Sequence, residues 1–161
     1  MHKRIYVDES GIDKHLVREC GRALRGVKVQ DVKRGRKFGR TSIIAARRKD
    51  VFGNIKHIEP LCYNHTTNTE FFVHWFKSRL LKVIPKGSTI IMDNASFHPK
   101  MKLRNLARRH GMSILFLPTY SPDLNPLERD WANMKRALVE IMPSMESLED
   151  GIYWYFSIVD N

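Results

Sequence analysis

A mixed α/β fold on a five-stranded sheet is predicted by the order of elements along the chain and by where its two periodicities fall. Three strand-like runs come first. Helical 3.6-residue periodicity then alternates with two further short apolar runs, giving strand, strand, strand, helix, strand, helix, strand, helix. A hairpin early in that order implies one antiparallel portion, while the helix-linked strands imply parallel ones.

Residues 3–8 (KRIYVD) read as a central strand closed by an acidic side chain. Residues 41–47 and 55–63 read as a hairpin whose turn, residues 50–54 (DVFGN), centres on Gly53. Residues 67–70 (TNTE) form a capping box. The aromatic stripe of Phe72, Trp75, Phe76, Leu80 and Val83 then recurs at helical spacing, with Arg79 off the pattern, as a core-facing helix requires. Pro85, Gly87 and Ser88 end that helix, and residues 89–92 (TIIM) are a short strand buried on both faces that stops at Asp93. A basic helix over 99–110 turns Leu103, Leu106, Ala107 and His110 inward, and residues 113–117 (SILFL) form a second buried strand. Leu127, Trp131, Met134, Leu138 and Ile141 mark a long helix, and residues 146–158 one more.

At 161 residues the chain suits one domain, residues 1–161, able to bury a core without disulfides. No apolar run approaches the roughly 20 residues of a membrane span. The start, MHKRIYV, has no apolar leader, so no signal peptide and no membrane are expected. Cys20 and Cys62 fit reduced thiols, and Cys62 with His65 lacks the second Cys/His pair that a zinc site needs.

A net charge of +11 and a pI near 9.9 make a polyanion the expected partner, nucleic acid first. Between Arg18 and Arg40 nine Lys/Arg stand against Glu19 and Asp31, with four glycines interspersed. Arg22, Arg25, Lys33, Arg34, Arg36 and Lys37 there, with Lys100 and Lys102 on the basic helix, are the candidate DNA-binding residues.

Three acids lie in three separate motifs: Asp8 in IYVDESG, Asp93 in TIIMDNASFH and Glu128 in YSPDLNPLERDW, with 34 residues between the last two (94 through 127). Singly, Asp8 and Asp93 could be turn formers, and Asn125, Pro126 and Glu128 could be a helix start. Together they read as a divalent-metal site. Converging carboxylates repel, and a hard cation, Mg²⁺ or Mn²⁺, suits oxygen ligands. Glu9 should face the other side of the sheet and stays outside the triad.

The motifs MDNASFH, LPTYSPDLNPLERDWANMK and YVDESG resemble the catalytic core of DDE transposases of the mariner-like superfamily, in particular its bacterial insertion-sequence branch, over about residues 3–140. That resemblance implies a ribonuclease-H-like fold. It implies that Asp8, Asp93 and Glu128 are catalytic and bind two Mg²⁺ or Mn²⁺ ions per site. The activity implied is DNA strand cleavage and joining by hydrolysis and transesterification. Asn94 and His98 belong to a matched motif and could orient a carboxylate or touch a phosphate; Asn125 would build the turn that aims Glu128.

The partners implied are transposon ends and target DNA, with TA target dinucleotides and a homodimer on DNA. Family members carry a helix-turn-helix region ahead of this core, whereas here the first strand begins near Met1. The expectation is a catalytic domain alone, with a separately encoded DNA-binding polypeptide as one way to supply the missing part. A bacterial source would place it in the cytoplasm on the chromosome. The competing readings are a silent DNA-binding or dimerisation remnant of a transposase, and a nuclease on the same fold.

Overall fold

The computed structural model describes residues 3–12, 40–119 and 121–160, without the side chain of Pro122. Five strands, β1 (Arg4–Ile12), β2 (Thr41–Lys49), β3 (Ile55–Tyr63), β4 (Thr89–Met92) and β5 (Ser113–Phe116), form one sheet in the order β3-β2-β1-β4-β5. β1, β2 and β3 pair antiparallel, whereas β4 pairs parallel to β1 and to β5. This is the predicted mixed five-stranded sheet with flanking helices.

Helices cover both faces. On one face lie α1 (Thr69–Trp75), which runs on through a π-helical turn (Phe76–Leu80) into α2 (Leu81–Val83), and the basic α3 (Lys100–Arg109). Their core includes Ile5, Val7, Phe72, Trp75, Phe76, Ile90, Met92 and Leu103. On the other face lie α4 (Leu127–Ile141) and α5 (Leu148–Val159), closing over Ile12, Ile43, Ala45, Trp131, Met134 and Phe156. Alternation along β1 produces this division, since Ile5 and Val7 point to one core and Tyr6 to the other. α5 approaches α4 closely at Gly151, where a Cβ would fall 2.9 Å from Met142 Sδ and 3.0 Å from Leu138 Cδ2. No helix among the described residues is long and apolar enough to cross a membrane.

Several expectations need correction. β1 does not stop at Asp8 but continues to Ile12, because Glu9, Ser10 and Gly11 pair with Ile44, Ile43 and Ser42. The helix start at residues 67–70 is capped by Asn68, whose Oδ1 accepts from Phe71 N at 2.9 Å, rather than by Thr67. The π-turn adds one residue to the helical repeat, so Leu81 and Ile84 turn inward and Val83 faces solvent. Arg79, off the helical pattern, lies in that turn and pairs with Glu59 at 2.6 Å. β5 is an edge strand with Leu115 half exposed, not a strand buried on both faces.

A buried charge network fastens α4 and the end of α5 to the sheet. Arg47 of β2 lies 2.8 Å from Asp130 of α4, and His57 of β3 lies 3.2 Å from Asp130 and 2.8 Å from Asp160. Burial pulls the His57 pKa down, but its bonds to the two aspartates outweigh that and leave it raised. A raised histidine contributes stability that is complete below its unfolded value of 6.5 and is lost as pH rises through the folded pKa. The thermal-stability gap between wild type and His57→Phe is therefore expected to be larger at pH 6 than at pH 9; a gap independent of pH would contradict this assignment.

Candidate metal and DNA-cleavage site

The first two acids come from neighbouring strands. Arg4, Ile5 and Tyr6 of β1 pair with Thr89, Ile90 and Ile91 of the parallel β4, and Asp93 is the residue that follows β4. Asp8 is buried at the centre of the sheet, opposite Ala45, on the face covered by α4. Glu128 stands in the first turn of α4, exposed to solvent. It is close enough for its charge to act on Asp8.

Burial, with the charges of Glu9 and Glu128, pushes the Asp8 carboxyl up from 3.8 to about 7, against the hydrogen bond that Trp131 Nε1 donates to its Oδ2 at 3.0 Å.

As the alternation of β1 predicts, Glu9 projects from the opposite face, where His98 meets it. His98 Nε2 lies 3.5 Å from Glu9 Oε1, and its Nδ1 lies 3.2 Å from Asp93 Oδ1. Burial alone would lower the His98 pKa; the hydrogen bonds and charges of Asp93 and Glu9 raise it to about 9, so the ring is a cation between two acids. Its hydrogen bond in turn holds the Asp93 carboxyl below its ordinary value. Burial raises Glu9, and His98 limits that rise. Ring contacts with Phe72 at 4.1 Å and Phe97 at 4.5 Å fix the imidazole.

The loop after β4 supplies the other matched polar groups. Asp93 Oδ1 accepts from Ala95 N at 3.1 Å, closing the turn that carries Asn94. Asn94 Oδ1 is buried and finds no donor among the described residues. Asn125 is buried before α4, where its Oδ1 accepts from Leu127 N at 3.2 Å and its carbonyl from Glu128 N at 3.2 Å. These two bonds lie in the turn that leads into α4 and Glu128.

The three acids are brought to neighbouring elements without collapsing onto one another. Among the described residues no three His, Cys, Asp or Glu side chains stand close enough together to hold a metal ion. Asp93 is engaged by His98, while Asp8 lies against Trp131. The donor chemistry nevertheless fits a hard divalent cation: oxygen ligands, a buried carboxylate raised by its acidic neighbours, and an unsatisfied amide oxygen beside Asp93. Lys100 and Lys102 are exposed at the start of α3, which follows directly on the Asp93–His98 loop. Arg22, Arg25, Lys33, Arg34, Arg36 and Lys37 lie outside the described residues.

Helical periodicity marks Trp131 as a core residue and gives no sign of its bond to Asp8, nor of the bonds of Asp130 to Arg47 and His57. The ERDW run places Asp130 and Trp131 within three residues of Glu128, the one signal that could have marked them.

The chain is 33% identical over 64 residues to the Tc1 transposable-element transposase of Caenorhabditis elegans, covering 40% of this chain and 23% of that protein. It superposes on a pre-cleavage Mos1 transpososome with a TM-score of 0.71 at 20% identity, over 98% of this chain and 48% of that one. The catalytic core of BIV integrase matches with a TM-score of 0.56 at 14% identity, over 93% of this chain and 78% of that one. Other similar structures are Mos1 paired-end complexes with Mn and with Mg. The chain thus spans about half of the Mos1 protein and less of the Tc1 one, and these structural likenesses establish a ribonuclease-H-like fold. Residues 3–149 match the DDE superfamily endonuclease family, and the chain belongs to that family.

Proposed function

We propose that this chain is the catalytic domain of a transposase, of the bacterial insertion-sequence branch of the mariner-like superfamily, that cleaves and joins DNA strands. The observation that supports the reading is that the buried Asp8 carboxylate feels the charge of Glu128 in the first turn of α4, while Asp93 follows directly on β4, the strand paired with β1. Asp8, Asp93 and Glu128 would hold two Mg²⁺ or Mn²⁺ ions, which when bound supply Lewis acidity at the scissile phosphate.

Each chain residue then has a task. Asp8 would contribute an oxygen from the sheet, Asp93 one from the loop after β4, and Glu128 one from a helix start aimed by Asn125. His98 orients Asp93. Lys100 and Lys102 lie where they can meet phosphates flanking the cut. In the first step water attacks phosphorus, the bond to the 3′ oxygen breaks, and the 3′-hydroxyl departs with a proton. In the second that hydroxyl attacks a phosphorus of target DNA, loses its proton, and displaces the target's 3′ oxygen. DNA ends and target DNA are the partners, with a homodimer on DNA and a separately encoded DNA-binding polypeptide as further proposals. Residues 1–161 are proposed to form one catalytic domain.

The test is incubation with a labelled duplex and Mg²⁺ or Mn²⁺ at low salt. Metal-dependent nicks and joined strands are expected, with a loss of roughly 10³-fold or more in Asp93→Ala. DNA binding without products would favour a silent remnant, and cleavage without joining a nuclease. Asn125→Ala is expected to slow cleavage by roughly 10-fold or more while metal half-saturation stays unchanged, since it acts on the turn before Glu128. Undiminished cleavage would remove that role.

A further inference from the structure

We propose that Trp131 is a positioning residue of the metal site: its indole N–H fixes the carboxylate of Asp8 and ties it to the helix that carries Glu128, so divalent-ion affinity depends on that hydrogen bond. This inference rests on the metal-site reading above.

The bond is buried and spans the chain. Trp131 Nε1 donates to Asp8 Oδ2 at 3.0 Å across 123 residues of sequence, with Trp131 2% and Asp8 8% exposed. Trp131 follows Glu128 by three residues, which puts both on neighbouring positions of one helical face. The contact therefore orients the Asp8 carboxylate and, beside the Arg47–Asp130–His57 network, ties α4 to β1. Phe156 of α5 packs edge-on against the indole, with ring centroids 6.4 Å apart.

Packing alone does not call for an indole. Phenylalanine would supply much of the same apolar surface, and the N–H is the group that distinguishes tryptophan in a core. Trp75, buried in the other core, gives its N–H to the backbone carbonyl of Glu59 at 3.0 Å, a use that serves only the fold. Trp131 instead gives its N–H to an acid of the site. Partners that hydrogen-bond a coordinating carboxylate set its orientation, and losing one weakens metal binding by about 10- to 100-fold.

The experiment is Mn²⁺ binding to the full chain, followed by electron paramagnetic resonance, alongside thermal unfolding without metal. Trp131→Phe is expected to raise the Mn²⁺ Kd by about 10- to 100-fold. Phe156→Leu removes packing but no donor; it is expected to lower Tm and leave the Kd within about twofold. Unchanged Mn²⁺ affinity in folded Trp131→Phe overturns the proposal. Should that variant not fold, Mg²⁺ titration of the Trp75→Phe/Trp154→Phe protein reads the same bond: Trp131 emission is expected to shift on binding, and constant emission at saturation overturns the proposal. Failure of wild type to bind Mn²⁺, or equal binding by Asp93→Ala, would instead overturn the metal-site reading, and this inference with it.

Discussion

Replacing Asp8 with asparagine is expected to stabilise the metal-free protein and to abolish strand cleavage. Asparagine keeps the shape and an oxygen to accept the Trp131 N–H, but removes a buried charge beside Glu9 and Glu128. The native carboxyl is raised from 3.8 to about 7, so the folded state binds the proton more tightly than the unfolded state. The charged form's penalty is therefore absent below about pH 4, grows between there and pH 7, and is complete above. At about 1.4 kcal/mol per pKa unit, the gain at pH 8 is on the order of 2–4 kcal/mol. That corresponds to a Tm rise of roughly 5–10 °C for a chain of this size. Added Mg²⁺ should raise the Tm of wild type and leave Asp8→Asn unmoved. Thermal melts at pH 4.5 and pH 8, with and without Mg²⁺, check all three statements; a variant less stable than wild type at pH 8 would contradict them. Such a gain on removing a functional group is the familiar trade between activity and stability.

The second large effect is at His98. His98→Phe retains an aromatic ring for Phe72 and Phe97 but leaves Glu9 and Asp93 without their shared cation. Breaking a buried ion pair by removing one partner costs about 3–5 kcal/mol, and the exposure of Asp93 places the expectation at the lower end. Since the folded pKa is raised to about 9, this stabilisation is complete below pH 6.5 and lost as pH rises through about 9. Adding Glu9→Gln should recover part of the loss by removing the buried unpaired acid. Urea denaturation of the single and double variants measures the coupling; simple additivity would show that Glu9 and His98 do not act as a pair.

Much of the architecture was legible because it is local. The short TIIM run before Asp93, the stripe from Leu127 to Leu138 and the Gly53 turn each declare their element within a few residues. What sequence concealed depends on partners far along the chain. Glu9, Ser10 and Gly11 look like the end of a strand, yet pairing with β2 keeps them extended. Arg79 breaks the helical pattern because it is drawn to Glu59, 20 residues away, at the π-turn. Asp130 looks like a solvent-facing helix residue until Arg47 and His57 are brought beneath it. The acids and His98 could be singled out because they sit in recognisable motifs, whereas Trp131 meets Asp8 only when β1 and α4 assemble. The split of the acidic residues between two faces, Asp8 toward Trp131 and Glu9 toward His98, follows from strand alternation and was readable in advance.

The central claim is that Asp8, Asp93 and Glu128 share divalent ions. Its most direct test is a crystal structure of the protein with Mn²⁺, with anomalous scattering used to locate the metal. The account predicts anomalous peaks bounded by carboxylate oxygens of all three residues, with Trp131 still bonded to Asp8. Peaks confined to other groups at saturating Mn²⁺, with the three acids left as they are in the metal-free protein, would contradict it.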